Sequence, residues 1–264
     1  MTTPSSKELQ QLREITSRLT ATQLMLLIQM ASALQRQIEV EFDSDSDIAT
    51  DIFREHFGNR LLIHHAVTEE KLKKKTFEYA FRDSAKAAGR QAEITASDVF
   101  SGADLIVDRV KYSMKTEAQK NIRKNRITIS KFMEARWIRD KNAEELSREA
   151  NERIRRHLAN YERILILRSF TLDASQIRYD LVEIPHAILM LATQLHSRNI
   201  ILSTRGNGGG NAVIRLNGSE VFTLRLDGSV EKVTISGLWV DFCQIHASWF
   251  IPTIISSVDS DEEE

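Results

Sequence analysis

SGADLIVDRVKYSMKTEA, residues 101–118, sets the architecture of this chain. Leu105-Ile106-Val107 is a short apolar run, as expected of a buried strand. From residue 109 onward the side chains alternate. Val110, Tyr112 and Met114 share one face, while Lys111, Ser113, Lys115 and Glu117 share the other. If the two strands form a hairpin, Asp104 at the start of the first and Lys115 near the end of the second converge at one sheet edge.

On the N-terminal side, a helix is predicted from Thr68, with Leu72, Phe77, Ala80, Phe81 and Ala85 on one face and Gly89 as its stop. Residues 7–42 read as helical, from leucines and other apolar residues at helical spacing. The acidic FDSDSD (42–47) reads as a linker, with Asp47 or Asp51 capping a helix toward Phe57. Residues 1–6 are expected to be disordered. On the C-terminal side come a basic, Asn-containing loop, AQKNIRKNR, and then a helical stripe of Ile129, Phe132, Met133, Arg136 and Trp137. This helix is predicted to continue to about Tyr161.

RILILRSF (163–170) and IRYDLVEI (177–184) read as strands, with Pro185 breaking the second before a helix, HAILMLATQLH. RGNGGGN (205–211) reads as a flexible loop; it lacks the Lys-Ser/Thr of a phosphate-binding loop. AVIRL, VFTLRL and KVTIS are strands separated by the turn dipeptides Asn217-Gly218 and Asp227-Gly228. LWVDFCQIHA is predicted as a final strand, and DSDEEE as a disordered acidic tail. The expectation is a single α/β (α+β) domain over residues 1–264. It has an N-terminal helical segment (1–45), a core over 68–195, a β-rich part over 205–250 and the tail at 259–264.

The chain has 264 residues, 42% apolar and 28% charged, ordinary for a globular protein and long enough to bury a large core without staples. One cysteine, Cys243, cannot bridge internally, which points to a reducing, cytoplasmic setting. The longest apolar run, 184–195, is interrupted by Pro185 and His186 and is too short to span a bilayer, so no membrane partner is expected. Net charge is −1, but it is unevenly spread. Between residues 109 and 139 ten Lys/Arg face two acids, an excess of eight, which leaves −9 on the rest. One basic segment in an otherwise acidic chain is the footprint of a polyanion site.

Asp104 and Lys115 suit phosphodiester hydrolysis. A carboxylate holds a divalent cation, which polarises the phosphate and acidifies water. A lysine beside the attacking water stabilises the developing negative charge. Magnesium (Mg2+) is the natural ion, because it prefers hard oxygen ligands and keeps waters. GAD, eight residues and then SMKT is similar to the PD-(D/E)XK nuclease signature of many type II restriction endonucleases. The resemblance implies Asp104 as metal ligand, Lys115 as catalytic lysine, and a restriction-endonuclease-like mixed central β-sheet flanked by helices. Ala103 stands where the family has proline. Ser113 stands at the second acid position and is a poor magnesium ligand. Three glutamates are candidate replacements: Glu117 on the strand face of Lys115, Glu134 on the following predicted helix, and Glu78 on the preceding one.

Lys120, Arg123, Lys124, Arg126 and Lys131 are the expected phosphate contacts on double-stranded DNA. Asn121, Asn125, Arg126, Arg205, Asn207 and Asn211 have chemistry suited to base edges. The function expected is site-specific DNA cleavage by a homodimer, since cutting both strands of a palindrome calls for two active sites related by a two-fold axis. A cognate DNA methyltransferase is implied as a functional companion rather than a bound partner. The alternatives are a repair or recombination nuclease of the same superfamily and a non-catalytic DNA-binding regulator.

Overall fold

The computed structural model describes residues 4–95, 103–204 and 208–253. Gly102, the Arg205 and Asn207 candidates and the 259–264 tail lie outside the described residues. Along the chain run α1 (Ser6–Thr16), α2 (Ala21–Leu34), β1 (Glu39–Phe42), α3 (Asp51–Val67), α4 (Lys74–Ala87), β2 (Ala92–Ile94), β3 (Leu105–Val107), β4 (Val110–Glu117) and β5 (Arg126–Glu134). There follow α5 (Ala143–Leu158), β6 (Arg163–Thr171), β7 (Gln176–Glu183), α6 (His186–Met190), β8 (Ile200–Leu202), β9 (Gly209–Leu216), β10 (Ser219–Asp227), β11 (Lys232–Trp239) and β12 (Gln244–Pro252).

Two sheets result. Seven strands in the order β1-β12-β7-β6-β4-β3-β2 form a mixed central sheet, and five in the order β5-β11-β10-β9-β8 form an antiparallel one. In the central sheet β4 and β6 are parallel and the other neighbours antiparallel. The apolar run of β6 is buried almost end to end because both faces are covered. Leu165 and Leu167 join Tyr179 and Leu181 of β7 in a core with α3 and α4. Ile164, Ile166 and Val182 belong to a second core with α5 and the five-stranded sheet.

The predicted hairpin forms. Val107 pairs with Val110, and the connecting Asp108 and Arg109 both lie in the left-handed region, at φ 48° and 72°. That tight turn fixes the register, with Leu105 opposite Tyr112. A slip of one residue would send Ser113 and Lys115 to the opposite face.

Several expectations are corrected. The helix read over 7–42 is two helices and a strand. Thr20 starts α2 through a reciprocal capping box with Gln23, and Val40 pairs with Trp249 at the sheet edge. Ser5 caps α1, so the described residues 4–6 are ordered rather than disordered. Thr50, rather than Asp47 or Asp51, caps α3. Thr68 ends α3, and α4 begins only at Lys74; Gly89 follows α4 at φ 82°, as its stop residue should.

The helix predicted from Ile129 is the strand β5, so Glu134 is not on a helix. β5 pairs with β11 through register shifts, with Ile129 opposite Ile235 but Met133 opposite Val233. The extra strand residues turn an alternating pattern into the 129–132–133 spacing that imitates a helix. The true helix, α5, starts at an Asn142–Glu145 capping box and buries Leu146, Ala150, Ile154 and Leu158. The helix after Pro185 ends at Met190 and passes into a 3-10 turn. The predicted final strand is split by a 3-10 turn at Val240–Phe242 and crosses between the sheets. Gly209, Gly210 and Asn211 belong to β9 rather than to a loop. Gly209 is required there, since at φ 107° a Cβ would lie 2.1 Å from the Leu226 carbonyl oxygen.

Candidate active site

The hairpin places Asp104 just before β3, and its amide donates to the Tyr112 carbonyl at 2.8 Å. Its Oδ2 accepts the Met114 amide at 2.7 Å and the Ser113 hydroxyl at 3.4 Å. Ser113 is buried and orients Asp104 from the position where the resembling family carries its second acid. The other oxygen, Oδ1, accepts the Lys74 ammonium of α4 at 2.7 Å.

Lys74 has a second carboxylate neighbour, Glu78 Oε1 at 3.5 Å, one helical turn along α4. Glu78 is buried at 4% exposure, and its Oε2 takes Lys75 at 3.0 Å. Asp104 and Glu78 therefore share one cationic group, the Lys74 ammonium. Among the described residues, no cluster of three or more His, Cys, Asp or Glu offers a richer metal site. A pair of carboxylates suits a magnesium-type ion, which takes one or two such ligands and keeps waters.

The other two glutamates have different surroundings. Glu117 is buried against Arg168, itself fully buried, with Nε to Oε2 at 2.7 Å, and it also accepts the Thr128 amide at 2.8 Å. Burial raises its pKa, against the opposing pull of Arg168. Glu134 stands exposed at the end of β5, paired with Lys131 at 2.8 Å, which lowers its pKa.

Lys115 lies largely buried on β4. Burial pushes its pKa down to about 8; Lys74 and Lys131 act in the same direction, while Asp104 and Glu78 oppose it. It opens onto a cleft of about 670 Å³ between β4, β5 and α5. Lys74, Lys131, Arg153 and Arg156 also line this cleft. Each is ion-paired, Lys131 with Glu134, Arg153 with Glu149 and Arg156 with Glu152, so a polyanion entering here would have to compete with these surface carboxylates. His157 lines it too, and burial holds this imidazole down to about 4, hence neutral near pH 7.

Of the predicted phosphate contacts, Lys131 lines the cleft. Lys120, Arg123 and Lys124 are exposed on the segment joining β4 to β5. The Arg168 guanidinium holds that segment by donating to the carbonyls of Arg123, Lys124 and Arg126. Arg126 turns its guanidinium over the Trp239 ring and donates to the Gly237 carbonyl at 2.7 Å. Sequence reasoning missed Lys74, Arg153, Arg156 and His157. The i,i+4 relation of Lys74 to Glu78 was a visible signal. The helix residues carried none, because their face is defined only by packing against the second sheet.

Other residues are structural. His65 is buried and bonded to the Tyr179 hydroxyl at 2.8 Å, while His64 reaches the Glu70 carbonyl. The Cys243 thiol is pushed up to about 12 by burial. No described helix is long and apolar enough to cross a membrane.

The SmaI family model, described as type II site-specific deoxyribonuclease, matches residues 15–251. The type II restriction enzyme SmaI of Serratia marcescens is 35% identical over 211 residues, covering 78% of this chain and 82% of that enzyme. No solved structure matches.

Proposed function

We propose a division of labour that proceeds from one premise: the chain belongs to the SmaI family of type II site-specific deoxyribonucleases and is a site-specific DNA endonuclease. Asp104 and Glu78 are the divalent-cation ligands, and the ion is Mg2+. Glu78, rather than Glu117 or Glu134, supplies the acid that Ser113 lacks. The observation that carries this reading is the single Lys74 ammonium shared by the Asp104 and Glu78 carboxylates. When bound, the ion supplies positive charge against the scissile phosphate and makes a water more acidic.

The protein's own groups do the rest. Ser113 and the Met114 amide hold Asp104 in one orientation. Lys115, protonated near neutral pH, lies beside the reacting phosphate and stabilises the charge that develops there. Lys131, Arg153 and Arg156 bind the backbone along the cleft, and Lys120, Arg123 and Lys124 extend the contact beyond it. Glu117 acts through Arg168 and shapes the β4–β5 segment. Two copies cut the two strands as a homodimer in the cytoplasm, and a cognate methyltransferase protects the host sites without binding this chain.

The test uses purified protein on mixed plasmid and phage DNAs, with and without magnesium. Discrete fragments are expected only with magnesium. Asp104→Ala and Glu78→Gln should abolish them and also abolish calorimetric Ca2+ binding, whereas Glu134→Gln should keep both. Cleavage that survives Glu78→Gln would move the second ligand elsewhere.

A further inference from the structure

α1 buries none of its residues, and α2 buries only Ala33. This is unusual for α2, ATQLMLLIQMASAL, which has no charged residue in fourteen. A helix without charge, with apolar side chains around most of its circumference, belongs against other protein rather than in water. Met25 is 70% exposed, Ile28 56% and Leu26 51%, and Leu12 and Ile15 of α1 are also about half exposed. Exposed apolar side chains gathered on two successive helices mark an interaction surface.

We propose that the α1–α2 arm is the seam of the homodimer, with the arm of a second copy as its occupant. The inference rests on the two-copy reading above and says where the copies meet. Three observations select this occupant. An uncharged α2 offers nothing to DNA phosphates. The charges of α1 and its end are of both signs, Lys7, Arg13 and Arg18 against Glu8 and Glu14, so the arm suits its own two-fold mate better than an anionic membrane. Covering the exposed leucine, isoleucine and methionine side chains of the two helices removes on the order of 600–800 Å² from water per copy, close to the ~800 Å² per partner of a stable interface.

The arm is also well placed. Gln29 of α2 donates to the Ala66 carbonyl at the end of α3, and the chain then reaches Lys74 at the carboxylate pair. The seam is thus one helix from each catalytic centre.

Sedimentation velocity on the full chain at micromolar concentration tests this. The unmodified protein should run at twice the chain mass. Met25→Glu with Ile28→Glu should weaken self-association by about 100-fold or more. Ile201→Glu with Val230→Glu, at exposed apolar positions on the other sheet and its turn, should leave the dimer intact. A monomeric unmodified chain overturns both the seam and the two-copy reading. A dimer that survives the Met25/Ile28 change overturns the seam alone. Circular dichroism checks that the double variant folds. If it does not, hydrogen exchange of the unmodified chain decides: α2 amides should gain protection as concentration rises, and constant protection overturns the seam.

Discussion

At the scale of single residues, the site is governed by two lysines in different surroundings. Lys74 is 43% exposed at its side chain and occupies the space between two carboxylates. On the proposed assignment of these carboxylates it competes with a divalent ion for that space. Lys74→Met should tighten Ca2+ binding to the free protein by roughly tenfold, about 1.4 kcal/mol. Unchanged calorimetric affinity would show that Lys74 is not in the way. Lys115 is held largely out of water, and its ammonium destabilises the fold for that reason. Lys115→Met should abolish cleavage yet raise metal-free stability by on the order of 1–3 kcal/mol. The gain has a pH signature. Between about pH 8 and 10.5 the folded wild type has shed a proton that the unfolded chain keeps, so wild-type stability rises across this window. The difference between the two proteins should therefore shrink above pH 8. Denaturant melts at pH 7 and 10 would show it, and a constant difference would mean that burial of the charge is not the cause.

At the scale of elements, legibility depended on whether the pattern was local. The β3–β4 hairpin was readable, because strict alternation and an apolar triplet stand side by side, and it placed Asp104 and Lys115. β5 was not readable, because a strand with register shifts spaces Ile129, Phe132 and Met133 like a helix. Glu78 lay within an expected helix, though one whose start moves from Thr68 to Lys74, and its partnership with Asp104 spans 26 residues and is set by how α4 packs on the sheet. Glu117 was read by strand parity toward the site, and parity cannot reveal Arg168, which arrives from the neighbouring parallel strand. That buried pair has a consequence of its own. Arg168→Leu should destabilise the protein by about 3–5 kcal/mol, since it strands a buried carboxylate and removes the donors to three carbonyls of the 123–126 segment. Glu117→Gln should also destabilise, since it leaves the buried Arg168 charge without a counter-ion and turns an NH2 toward either Arg168 or the Thr128 amide, yet it should retain metal-dependent cleavage. Loss of Ca2+ binding in Glu117→Gln would return this residue to the metal site.

At the scale of the whole molecule, charge is partitioned against a net value of only −1. The sequence made the basic segment visible but credited all of its cations equally, whereas folding assigns them different tasks. Arg126 is consumed inside the second sheet, and Lys120, Arg123 and Lys124 face solvent. Arg153 and Arg156, from a helix outside the basic segment, join Lys131 in the cleft. Affinity for DNA should therefore fall steeply with salt, because each neutralised phosphate releases counterions. Measured in Ca2+, where cleavage is suppressed, the slope of log affinity against log salt should lose about 0.9 for each of Arg153→Gln and Arg156→Gln. Arg225→Gln, a like change in charge at an exposed position of β10, should leave the slope unchanged. Equal slopes for all three variants would mean that DNA does not enter the α5 side of the cleft, and the backbone path would then have to run along the exposed 118–125 segment alone.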